Sequence, residues 1–198
     1  STGDVTVDEP VEPDTPADDP AEPSVPADGD AEALVTAAAE AELDKLKNAD
    51  PEALALVGDI VNEGFENQTD ETLETCGVDP EEYARIMLED FSYTIDDVYV
   101  YESIDEATVY ATVTCRDIFE LIDNYNYMLE AYVNSEDYQY TTYEEDCQRM
   151  GMIFIEAAES AGMNGGYQMT IDLTYENGSW VVDEDQWESE LDWLFDVE

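Results

Sequence analysis

Residues 167–182 read YQMTIDLTYENGSWVV, and the period of this stretch decides the fold. Tyr167, Met169, Ile171, Leu173 and Tyr175 alternate with Gln168, Thr170, Asp172 and Thr174. Strict alternation places one set on a dry face and the other on a wetter one, the pattern of an antiparallel strand covered on a single side. Asn177-Gly178 supplies the two left-handed positions of a tight turn, so Trp180-Val181-Val182 returns as a paired strand. The same reading applies upstream. Residues 95–101 and 107–115 form a second hairpin around Ser103–Glu106, with Ala107, Val109, Ala111, Val113 and Cys115 on its dry face.

Outside the hairpins the period becomes helical. Residues 31–48 are rich in Ala, Glu, Leu and Lys, all good helix formers. Asp50-Pro51 and Asp79-Pro80 each pair a capping side chain with a proline suited to the first helical position. Val57, Ile60, Val61 and Phe65 mark the apolar face of the helix after Asp50, and Tyr83, Ile86, Met87 and Phe91 that of the helix after Asp79. Asp117 opens another helix, with a stripe running from Ile118 through Leu121, Ile122 and Tyr125 to Tyr132. A polar break at 134–141 precedes a helix over about 142–161, and Trp187, Leu191, Leu194 and Phe195 predict a closing one. The expected fold is α+β: an antiparallel sheet of about four strands packed on helices, with a helical insertion between two hairpins.

Composition bounds the rest. The chain has 198 residues, with 53 Asp and Glu against five Lys and Arg, a formal net charge of −48 and no histidine. That field repels phosphate backbones and anionic headgroups, so nucleic acid is not an expected partner. Divalent cations are expected to associate weakly with so acidic a surface, and adaptation to high salt would produce the same composition. The missing histidine removes His-based triads and the HExxH zinc site, and no cofactor is expected. Residues 1–30 alternate Pro with Asp and Glu and cannot bury enough apolar surface to offset their ordering entropy. They are read as a disordered tether, stretched by self-repulsion, ahead of a single α+β domain at 31–198.

Three sets of residues could carry function. Tyr99, Tyr101 and Tyr110 lie on or near one hairpin and, if they share a face, could stack on a sugar or a peptide; tyrosine is also common in strands for structural reasons. Glu144-Glu145-Asp146 and Asp183-Glu184-Asp185 are the densest acidic clusters of the folded part, and neither matches a calcium loop, so solvated surface is expected. Arg85, Arg116 and Arg149 are scarce enough that each is expected to be drawn into carboxylate pairs. Cys76, Cys115 and Cys147 show no CxxC spacing and no metal site; one disulfide with one buried thiol, or three buried thiols, fits them. If the two middle helices form an antiparallel hairpin, Cys115 and Cys147 stand about 24 Å apart. A disulfide needs Cα atoms within about 7 Å, so any bridge should use Cys76, with Cys147 as its partner.

The order of elements, with the ending Tyr175-Glu176-Asn177-Gly178-Ser179-Trp180-Val181-Val182-Asp183, resembles NTF2-like (cystatin-type α+β) domains of unknown function from Gram-positive surface lipoproteins. The resemblance spans about residues 51–198. It implies a cell-envelope protein outside the cytoplasmic membrane, held to its outer face by a lipid on a cysteine preceding the tether, and touching the membrane only there. It carries over no catalytic residue. The function expected is a non-catalytic module binding an unidentified ligand or protein partner. The alternative is a hydrolase, isomerase or dehydratase with Asp, Glu or Tyr acting in an NTF2-like pocket, which requires a carboxyl group held in an apolar cavity with a raised pKa.

Overall fold

Every α-helix after the first is opened by a side chain that accepts from the backbone N–H groups its first turn leaves unpaired. In the computed structural model, which describes residues 29–197, α1 is Gly29–Lys47. Asp50 caps α2 (Pro51–Thr69), Asp79 caps α3 (Pro80–Met87) and Asp117 caps α4 (Ile118–Val133). Thr142 caps α5 (Tyr143–Ser160) through a reciprocal box with Glu145, and Asp183 caps α6 (Glu184–Phe195). Much of the acidity is thus spent on starting helices, where the positive end of the dipole favours it. The two dense clusters are more than solvated surface. Asp183 belongs to one, and Glu145 and Asp146 to the other, where Asp146 accepts from Tyr132 at 2.7 Å and Thr141 at 2.6 Å.

The expected tether falls on residues 1–30, of which 1–28 lie outside the described residues; α1 begins at Gly29 rather than at Ala31. The third helix ends at Met87, so Phe91 belongs to the turn before the sheet and not to the helix.

Four strands follow the expected pattern: β1 (Ser92–Tyr101), β2 (Glu106–Thr114), β3 (Tyr167–Glu176) and β4 (Ser179–Val182). They form one antiparallel sheet in the order β1-β2-β3-β4, and α4 and α5 are the insertion between β2 and β3. β1 starts earlier than expected, at Ser92, and a bulge between Ile95 and Asp97 resets its register. That irregularity hides the alternation of 92–94 from a period-2 reading. Asn177 and Gly178 both take positive φ in the β3–β4 turn.

The inner face of the sheet is dry. Val100, Ala107, Val109, Ala111, Val113, Met169, Ile171 and Leu173 are buried and join one continuous core with the helices. Small residues at 107 and 111 let α1 approach β1 and β2, where Tyr93 Oη donates to Asp44 at 2.8 Å and Lys47 lies over the Tyr93 ring. The helical side is built around rings. Phe154 stacks on Tyr83 with centroids 4.8 Å apart and meets Phe65 at 5.0 Å and Tyr125 at 5.3 Å. The α4–α5 hairpin closes on itself at its base, where Asp117 N donates to Gly162 O and Asn164 N to Cys115 O, both at 2.8 Å.

Candidate functional site

The pairing β1–β2 brings all three singled-out tyrosines to one side of the sheet. Asp97 is opposite Tyr110, Tyr99 opposite Thr108 and Tyr101 opposite Glu106, and cross-strand partners share a face. This is the face away from the core. The Tyr99 and Tyr110 rings make a T-shaped contact, with centroids 5.8 Å and planes 82° apart. Tyr101 lies one pleat further along the same face. β2 and β3 extend the surface with Thr108, Thr112, Thr170 and Asp172. Thr108 donates to Asp172 at 2.8 Å and Thr112 to Asp96 at 2.6 Å, which fixes the carboxylates beside an exposed Tyr99 ring and half-buried Tyr101 and Tyr110 rings. Among the described residues no helix covers this face, and Tyr99 is 44% exposed.

The edge of β3 is closed by an unexpected device. β4 pairs only with residues 173–176, which leaves the backbone at Thr170 and Asp172 without a strand neighbour. The Gln186 side chain of α6 takes that place: its amide nitrogen Nε2 donates to Thr170 O at 2.6 Å and its Oε1 accepts from Asp172 N at 3.0 Å. Glu190, one turn on, accepts from Thr170 N at 3.2 Å, and its carboxyl is raised above the usual range by burial.

The other chemistry-bearing groups are structural. Arg116 pairs with Glu89 at 2.6 Å and donates to the carbonyls of Ile86, Glu159 and Ala161, each at 3.0 Å, tying the end of α3 to the end of α5. Arg85 and Arg149 depart from the expectation, since neither has a carboxylate within ion-pair distance among the described residues. Arg149 lies over the Tyr132 ring instead, at 5.8 Å from its centroid, because a cation over an aromatic face keeps its solvent contact. Cys76 and Cys147 are joined as a disulfide with Cα atoms 4.8 Å apart, and Cys115 is a buried free thiol, pushed up to about 12 by burial. The bridge fastens the α2–α3 connection to the second turn of α5. Gly151 permits the close approach, since a Cβ there would collide with the carbonyl of Cys76.

An acid or base in an apolar cavity is what the enzymatic alternative requires. Among the described residues no charged side chain is buried. Among the described residues no group of three or more Cys, Asp or Glu converges to hold a metal ion. A cavity of about 360 Å³ lies between α1, α2, β4 and α6; Lys45 bridges Glu42 and Glu52 in its wall at 3.0 and 3.2 Å, and Glu184 and Glu188 also line it.

Sequence reasoning passed over two exposed aromatics, Phe119 and Trp193, which line one groove between α4 and α6. The signal was present: each falls off the apolar stripe of its own helix, so it is a large side chain with no core to enter.

These features define an α+β domain with a filled core and an open sheet face. No family model matches the sequence, and no curated protein matches it. A crystal structure from Bacillus subtilis described as a "putative lipoprotein" (YcdA) is similar, with a TM-score of 0.51 and 17% sequence identity. The likeness covers 85% of this chain and 50% of that one, so the chain spans about half the length of that structure. At this identity the likeness shows the fold. Among the described residues no helix is long and apolar enough to cross a membrane.

Proposed function

We propose that this chain is a non-catalytic binding module of the bacterial cell envelope, outside the cytoplasmic membrane and held to its outer face by an N-terminal lipid anchor. Its ligand surface is the open face of the sheet around Tyr99, Tyr101 and Tyr110. The observation that carries the reading is the contrast between the faces: the inner one is filled by the core, and the outer one presents tyrosine rings among fixed Thr and Asp side chains. Such a surface suits stacking on a sugar ring or an extended peptide, with hydrogen bonds around the rings. The NTF2-like resemblance and the lipoprotein label of the Bacillus subtilis structure support the placement in the envelope. The acidic field favours ligands that are neutral or cationic.

The test is a titration of the isotopically labelled chain with soluble cell-wall oligosaccharides and with neutral extended peptides, followed by NMR. Shifts centred on Tyr99, Thr108 and Tyr110, abolished in Y99A/Y110A, are expected with one of the two classes. Turnover of either probe, or shifts confined to other surfaces, would overturn the reading.

A further inference from the structure

The strongest unexplained feature lies away from the sheet face. Phe119, in the first turn of α4, is 72% exposed, and Trp193, in the last turn of α6, is 70% exposed. They line one groove of about 380 Å³, floored by Ile118 and Ile122 and rimmed by Asp192 and Asp196. Side chains of this size gain most from leaving water, so two of them in one groove are costly to a chain that keeps them wet. Their neighbours are of one sign. Partial burial raises the Asp192 carboxyl above its ordinary range, and Asp196, Glu63 and Glu188 raise it further. No Lys or Arg lines this groove, whereas the cavity between α1 and α2 has Lys45 within it.

We propose that the groove between the start of α4 and the end of α6 docks a cationic segment of a partner protein, one that sets an apolar side chain between Phe119 and Trp193 and places Lys or Arg against Asp192 and Asp196. Charge complementarity selects this occupant. A second copy of the chain would bring another −48 to the contact, and a nucleic acid or an anionic lipid surface would be repelled. A cation relieves the crowding of the carboxylates and also stacks favourably on the indole face. The site is separate from the tyrosines of the open sheet, so either can fail without the other.

The experiment uses three synthetic amphipathic peptides: one of Leu and Lys, its Ser/Lys analogue and its Leu/Glu analogue. Binding to the full chain is measured by calorimetry at low and physiological salt, and the Trp193 indole N–H, assigned by its loss in W193A, is followed by NMR. The Leu/Lys peptide is expected to bind, to shift that indole and to weaken with salt. F119A and W193A, both exposed positions, are expected to keep the wild-type melting curve and to weaken Leu/Lys binding at least about tenfold. The Leu/Glu peptide is expected not to bind. Equal affinity for the Leu/Lys and Ser/Lys peptides would overturn the proposal, since the groove would then contribute nothing beyond charge. So would unchanged affinity in F119A/W193A, an unshifted Trp193 indole, or self-association of the wild-type chain that W193A abolishes.

Discussion

The helical side of the molecule and the sheet are built on opposite plans. The helices α2 to α5 converge on four rings, with Phe65, Tyr83 and Tyr125 gathered around Phe154, and a disulfide fastens the α2–α3 connection to α5. The sheet buries small and aliphatic side chains on one face and leaves tyrosine and threonine in water on the other. Large interlocked rings make a region that tolerates little change. A flat, one-sided sheet makes a surface whose outer residues can vary without unfolding the chain. Under the proposed function the inner face of the sheet joins the helices in carrying stability and the outer face is kept for recognition, a division that can be broken at either end.

The heaviest blow to the comparison should be Phe154→Ala. It removes a ring that touches three others, and truncations of this kind cost about 3–5 kcal/mol. Urea denaturation should show the midpoint falling with little change in slope; a loss below about 1 kcal/mol would mean that the rings are not the centre of the structure. Next in size is the disulfide. It closes a separation of 71 residues, and chain entropy gives such a crosslink about 4 kcal/mol, with measured values more often 2–4. Cys76→Ser/Cys147→Ser, or reduction, should lower the melting temperature while the NMR signals of the sheet keep their positions at low temperature.

A third effect is set by pH. Burial raises the Cys115 thiol from about 9 to about 12; the hydrogen bond from Asn164 to its sulfur opposes that shift, and the nearby Asp117 charge adds to it. Below about pH 9 the thiol is protonated in both folded and unfolded chains, and its contribution is complete. Above that, the unfolded chain loses the proton and the folded one keeps it, so stability falls by up to ~1.4 kcal/mol per pH unit until the folded thiol itself ionises. The burial that raises Tyr83 acts in the same direction at higher pH. Cys115→Ala should flatten the decline just above pH 9; an identical slope in the variant would remove Cys115 as its source.

The helical side also contains its own flaw. Among the described residues, the buried hydroxyls of Tyr83 and Tyr125 have no hydrogen-bond partner. An unpaired buried hydroxyl costs about 1–3 kcal/mol. Tyr83→Phe keeps the stack on Phe154 and removes the orphan group, so it should stabilise the chain by about 1 kcal/mol. Destabilisation would show that the hydroxyl has found a partner, such as a bound water.

The sequence made the helices and the β3–β4 hairpin legible because caps and periods are local. Asp50, Asp79 and Asp117 sit where a helix must start, and Asn177-Gly178 where a strand must turn. The alternation of 107–115 likewise gave the dry face of β2. What stayed hidden depends on tertiary position. The bulge at Asp96 breaks the period that would have revealed the first residues of β1. Gln186 reads as one more polar residue on a helix, and only the shortness of β4 makes it a substitute for a strand. Phe119 and Trp193 lie off their stripes, but no local rule brings two such residues to one groove. The tyrosines could be placed on one hairpin by sequence, whereas their common face required the register that the bulge sets.

The smallest expected effect tests the sheet half of the comparison. Tyr99 and Tyr110 meet across β1 and β2, and a cross-strand aromatic pair contributes roughly 0.2–1 kcal/mol. Y99A should therefore cost under about 1 kcal/mol, while Ile171→Ala, on the buried face of β3, should cost about 2–5. The pair makes a matched control, since both substitutions shorten a strand side chain and only the face differs. If the outer ring mattered as much as the inner one, the open face would be part of the scaffold, and its claim to be a binding surface would weaken. If Y99A leaves stability almost unchanged and abolishes ligand shifts, the rings are there for recognition, since folding alone does not need them.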